Sequence, residues 1–191
     1  NLVAITLVGL VCNPTGGDAA FGGTPKPGQK YALLIGINAY APPMQSLAFC
    51  HNDMRPLKAT LVAAGFPEDH VFLMLEGSEQ SKCVPTKANI IRQIELRLAL
   101  ADQDDLVLMA FSGHGVLEGS TSYLCPCDCV LEKARETMVS MDEIYLDKCS
   151  WVSDQGRMGE CVKSGTINEL EFIGDGVTVP RVGSVKVPWR H

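Results

Sequence analysis

The sequence predicts an α/β fold, a three-layer sandwich whose mostly parallel sheet carries helices on both faces. Three short runs predict it: residues 31–37 (YALLIGI), 71–75 (VFLML) and 106–111 (LVLMAF) are almost unbroken in apolar side chains. A strand that is apolar at every position, and not at alternate ones, is buried on both faces, as in a parallel sheet. Two stretches with helical spacing separate these runs, so each strand returns to the sheet by a right-handed crossover. A chain of 191 residues fits one domain.

The elements follow in order. Residues 2–11 (LVAITLVGLV) form a ten-residue apolar run, too short to span a bilayer but suited to the core of a signal peptide. Gly17-Asp18-Ala19 offers a cleavage signal, so residues 1–20 read as an export segment, with a buried N-terminal strand as the plainer alternative. The expected location is then periplasmic or extracellular. Residues 21–29 are a Gly/Pro linker, and the domain proper is expected over 30–165. After the first strand, Leu47, Leu57, Leu61 and Val62 keep helical spacing up to a stop at Gly65. Asn52 or Asp53 would cap this helix and place Pro56 in its first turn. Thr86 caps a second helix reaching Ala101, with Ile90, Ile91, Ile94 and Leu98 along one stripe. A third helix is expected over 139–148, with Ser140 and Glu143 as a capping box. Residues 150–160 are polar and Gly-punctuated, a poor central strand, so the C-terminal part of the sheet is expected to be incomplete. The divergent tail, residues 166–191, has no clear place in it, although 177–188 alternates like an edge hairpin broken by prolines.

Composition narrows the function. Apolar residues make up 46% and charged residues 20%, a globular balance. A net charge of −6 argues against a nucleic-acid surface, and no run approaches the roughly 18 apolar residues of a stable membrane span. Eight cysteines are many for a reducing compartment, and some would pair in an exported chain.

Chemistry is expected beyond the carboxyl ends of the parallel strands. His114 lies four residues past Ala110, between Gly113 and Gly115. The glycines let substrate approach the main chain, and the Gly115 N–H can face an oxyanion. A satisfied loop histidine is the plainer reading. Cys125, Cys127 and Cys129 (CPCDC) would share one face of an extended segment. Their spacing is unusual for structural zinc; core packing or disulfide use suits them better.

Residues 31–38 (YALLIGIN), 47–53 (LAFCHND) and 111–115 (FSGHG) resemble, in order and separation, the caspase–metacaspase family, closest to its bacterial metacaspase-like members. The likeness covers residues 30–149. It implies a cysteine endopeptidase acting on peptide or protein substrates through a Cys–His dyad, with His114 as base and the Gly115 N–H at the oxyanion. It also implies that Cys50 and Asp53 line a pocket for Arg or Lys before the cut bond, a carboxylate facing a cation; capping its own helix is the alternative for Asp53. No cofactor is implied. Calcium dependence occurs among metacaspases, but no acidic loop of this chain is assignable to it.

The chain departs from the family at the nucleophile, which should end another buried strand after an Asp. Here the candidate is Cys161, 47 residues after His114 (161 − 114), where about 50 are expected. It follows the polar stretch 150–160 and is preceded by Glu160. Two alternatives therefore stand beside the peptidase: an inactive caspase-like protein that binds a peptide or partner, and a secreted module organised by its cysteines around a metal or as a structural unit.

Overall fold

The computed structural model describes residues 2–5, 7–12, 28–101, 105–144 and 161–166. Three parallel strands form its centre: β3 (Lys30–Gly36), β4 (Val71–Leu75) and β5 (Leu106–Glu118). β3 lies in the middle, with Gly36 beside Leu75 on one side and beside Ser112 on the other. The alternation of β3 sorts the core into two layers. Ala32 and Leu34 pack with Met54, Leu61 and Phe66 on the side of helix α1 (Cys50–Ala63). Leu33, Ile35 and Ile37 pack with Ile90, Ile94 and Leu98 of helix α2 (Lys87–Leu100) on the other. Both faces are covered, as a strand without polar positions requires.

The helix ends show local chemistry at work. Thr86 Oγ1 accepts the Asn89 N–H at 3.3 Å, the expected cap of α2. At the end of α1, the Gly65 N–H donates to Val62 O and the Phe66 N–H to Leu61 O, with Gly65 at φ 87°. This is the left-handed stop that glycine permits. The start of α1 differs from expectation. It begins at Cys50, whose N–H donates to Asn38 Oδ1 at 2.9 Å. A cap supplied from β3's exit loop replaces Asn52 or Asp53, and Pro56 falls inside the helix instead of its first turn.

The sheet is mixed, and parallel only among β4, β3 and β5. β5 runs 13 residues instead of ending at Phe111, because antiparallel neighbours pair with its distal half. β6 (Thr121–Leu124) pairs with Gly115 to Glu118 and carries β7 (Val139–Ser140) on its outer edge. β1 (Leu2–Ile5) pairs with Gly113 to Val116, and β2 (Leu7–Cys12) with Val107 to Met109. Residues 2–5 and 7–12 of the N-terminal apolar stretch thus lie in two strands along β5. β8 (Cys161–Thr166) pairs with β2, giving the order β4-β3-β5-β2-β8. Of the helix expected over 139–148, the first two residues form β7, and Ser140 Oγ then accepts the Asp142 N–H at 3.2 Å at the start of a short helical turn. The hairpin at 177–188, the rest of the tail and the polar stretch 150–160 lie outside the described residues. No helix among the described residues is long and apolar enough to cross a membrane.

The approach of α1 to β3 depends on Gly36. A Cβ there would stand 2.7 Å from Cys50 O and 3.0 Å from Met54 Cγ. Gly36→Ala is expected to lower stability by about 1–3 kcal/mol, the usual cost of overpacking. Urea denaturation checks this through the midpoint, and an unchanged midpoint would show that α1 does not sit this close.

Candidate active site

The carboxyl ends of β3, β4 and β5 converge where Gly36, Leu75 and Ser112 stand abreast. The loop between β3 and α1 folds over this end and is pinned at several points. Glu76, the residue after β4, accepts the backbone N–H groups of Asn38 and Ala39 on Oε1, both at 2.9 Å. Its Oε2 lies 2.7 Å from His51 Nε2. Asn38 O accepts the Leu47 N–H at 2.7 Å, while its side chain holds the start of α1.

The pinned loop delivers two groups to His114. Gln45 O lies 2.7 Å from His114 Nε2. A carbonyl can only accept, so the ring must carry a proton on Nε2. In the neutral ring Nδ1 is then left as the basic lone pair. Nδ1 is buried and no described residue partners it. The second group is Tyr40, whose hydroxyl accepts the His114 N–H at 2.9 Å and donates to Cys125 O at 3.2 Å. Its ring is tilted against the imidazole with centroids 4.8 Å apart. Burial holds the Tyr40 hydroxyl protonated far above the usual phenol range. Gly113 is needed here: a Cβ would meet Tyr40 Oη at 2.5 Å and Phe111 Cζ at 2.8 Å. The imidazole itself is only 5% exposed. It sits inside β5 beneath the loop, and not in a connection beyond the strand.

Beside it stands a polar cluster. Ser112, two residues before His114, donates to Asp53 Oδ2 at 2.9 Å. Asp53 is thus not the cap of its own helix: its N–H bonds Phe49 O in the first turn and its carboxylate faces β5. Cys50 is buried one turn earlier. Burial pushes its thiol up, opposed by the neighbouring Ser112 hydroxyl and reinforced by the Asp53 charge. Cys50 is consequently a neutral thiol beside Asp53.

The structure thus brings His114, Cys50 and Asp53 to one end of the sheet. Gly115 is at the same end, but both its strand edges are paired, to Leu124 of β6 and to Val3 of β1. An oxyanion can reach its N–H only if one of these pairs opens. Cys161 is placed elsewhere. Its Cα is in register with Cys12, which would fall opposite Val107, seven residues before His114 on β5. At about 3.3 Å per residue, that sets it roughly 23 Å along the sheet from His114, with β2 in between. Among the described residues, no three His, Cys, Asp or Glu side chains gather to hold a metal ion.

Four groups were not singled out from the sequence. Ser112 was legible, since period-two alternation puts residue 112 on the face of β5 that carries His114. Tyr40, Glu76 and the Gln45 carbonyl act through loop geometry, which leaves no sequence signature.

The family model for the caspase domain matches residues 29–150. The chain belongs to the caspase-domain family. Its relatives include metacaspase III c of Phaeodactylum tricornutum, 35% identical over 161 residues, which covers 76% of this chain and 46% of that protein. Metacaspase-3 of Arabidopsis thaliana is 31% identical over 159 residues, 76% of this chain and 42% of the relative. Metacaspase-1 of Yarrowia lipolytica is 34% identical over 111 residues, 53% and 24% respectively. The chain spans less than half the length of each of these caspase-domain proteins. The match covers the parallel strands, both covering helices, His114 and the Ser112–Asp53 cluster, and stops short of β8.

Burial gives this caspase domain an alkaline liability. Burial pushes the Cys50 thiol up and, with the Asp128 charge adding, raises Cys127 to about 11. A thiol whose folded value is raised stabilises the fold below its unfolded value, roughly 8.5, and loses that contribution as pH rises further. Stability is therefore expected to fall from about pH 8.5 upward, and Cys127→Ala to flatten the fall. Thermal midpoints between pH 7 and 10.5 check it; a flat or rising profile would contradict the assignment.

Proposed function

We propose that this chain is the base-and-pocket portion of a caspase-type cysteine endopeptidase that cleaves after Arg or Lys. The observation carrying this reading is the state of His114. Its Nε2 is committed to the Gln45 carbonyl and its Nδ1 lone pair lies unpartnered at the end of the parallel strands. An imidazole fixed in this tautomer can take a proton from a thiol and return it to the leaving amine. Asp53, aligned by Ser112 and walled by the neutral Cys50, supplies the carboxylate for a basic side chain.

Cys161 remains the thiol that the sequence nominates. To serve it must travel most of the length of β5, so cleavage by this dyad requires β2 to leave the edge of β5 and β8 to re-register. That separation favours a second reading, in which the domain binds basic peptides without cutting them.

A peptide carrying Arg before a fluorogenic amine separates the readings. On the peptidase reading, His114→Ala lowers kcat by about 10²–10⁴, the range of general-base losses. Asp53→Asn raises KM for the Arg peptide about 10–100-fold, as loss of a charge-assisted bond implies. Cys161→Ser abolishes turnover, and an alkylating thiol probe labels Cys161 only when His114 is intact. Binding of the Arg peptide without turnover, weakened by Asp53→Asn, establishes the second reading. Turnover that survives Cys161→Ser removes that residue from the chemistry.

A further inference from the structure

The most exposed large apolar side chain among the described residues stands next to the carboxylate of Asp53. Phe49 is 70% exposed, although an aromatic ring gains much from burial. It immediately precedes α1, with φ −118° and ψ −8°, and its carbonyl accepts the Asp53 N–H at 2.8 Å. That bond is helical, and side chains four residues apart on a helix share a face, their Cβ atoms about 5–6 Å apart. Helix α1 runs back along β3: Gly36 at the strand's end lies against Cys50, and Lys30 at its start donates to Ala64 O at 3.0 Å. Phe49 therefore stands at the outer rim, and Asp53 one turn further in. Ser112 takes Asp53 Oδ2, which leaves Oδ1 for an incoming donor.

We propose that Phe49 is a specificity-determining residue that selects Arg over Lys at the position read by Asp53. The inference rests on the reading of Asp53 as the carboxylate for a basic side chain, and deepens it. A guanidinium is planar, with its N–H donors in the plane and weakly hydrated faces. Its edge can meet Asp53 Oδ1 while one face lies on the Phe49 ring, so the two contacts do not compete. An ammonium is a compact, strongly hydrated charge. Drawn to the carboxylate, it has no flat face to lay on the ring. The carboxylate attracts both cations, and the ring favours one.

The domain already pairs these groups elsewhere. The Arg97 guanidinium carbon lies 4.6 Å from the centroid of the Phe72 ring, and Lys30 Nζ lies 5.5 Å from that of Phe66. The planar cation sits closer to its ring than the ammonium does. Phe49 has no cation over it among the described residues, so its outer face is open to a side chain arriving from solution. This role is the same whether the domain cuts the peptide or only binds it.

The test is fluorescence anisotropy of the folded chain with two labelled peptides that differ only in carrying Arg or Lys. The chain is expected to bind the Arg peptide more tightly. Phe49→Ala should weaken the Arg peptide about 3–10-fold and the Lys peptide by less than about twofold. Phe49→Leu, apolar but without an aromatic face, should behave as Phe49→Ala, and Phe49→Trp should restore the preference. The ring is on the surface, so these replacements leave the core packing intact. If Asp53→Asn weakens both peptides while Phe49→Ala changes them equally or not at all, the role of Phe49 is overturned and that of Asp53 stands. Full preference in Phe49→Leu also overturns it, by showing apolar contact alone. If neither peptide binds, or Asp53→Asn changes neither, the reading of Asp53 fails and the inference falls with it.

Discussion

The hydrogen bond between His114 Nε2 and Gln45 O decides what this site can do. Without it the imidazole could carry its proton on either nitrogen and turn about its own axis. With it, one tautomer and one ring plane are selected, and the basic nitrogen is aimed away from the loop. The bond exists because the loop from Ile37 to Phe49 is itself constrained. Glu76 gathers the backbone N–H groups of Asn38 and Ala39, Asn38 closes the loop onto the start of α1, and the Ile37 N–H reaches Ser112 O at 2.9 Å. Each of these groups sits at the carboxyl end of the parallel strands, where backbone donors and acceptors leave the ladder and need partners. Satisfying them positions the histidine, so local hydrogen-bond accounting and the geometry of the site are one problem.

Burial sharpens the consequences. The imidazole, Ser112 and Tyr40 are nearly out of solvent, and β1 lies antiparallel to β5 with Ala4 in register with His114. A buried nitrogen without a partner is costly, and such costs are commonly carried where function requires them. His114, Asp53 and Cys50 are built into the parallel core with its two covering helices. Cys161 is not: it begins β8, behind β2 and at the opposite end of the sheet. On the proposed reading, His114 is therefore a prepared base whose thiol must be brought from a distance.

The parallel core was legible in the sequence because its strands are apolar on both faces, a pattern few other elements share. The stripe of α2 and its Thr86 cap were legible for the same local reason. What escaped involved distant partners. The start of α1 is set by Asn38, twelve residues upstream, and nothing within 50–53 reveals it. That error led to an ambiguity over Asp53, which the structure resolves by giving its carboxylate to Ser112. His114 was placed at the correct end of the sheet but outside the strand, since the length of β5 depends on β1 and β6 pairing with it. Strand register is fixed by long-range pairing and by the period of two. A sequence separation of 47 residues therefore carried no information on where Cys161 falls relative to His114.

The ring of His114 offers the most direct measurement. In long-range ¹H–¹⁵N correlation spectra of the folded chain, recorded where the His114 ring is neutral, the account predicts the tautomer protonated at Nε2 with an unprotonated Nδ1. Gln45 is held through its main chain, so Gln45→Ala should preserve that pattern and Glu76→Ala should degrade it. A ring protonated at Nδ1, or one that averages freely between tautomers, would contradict the account at its centre.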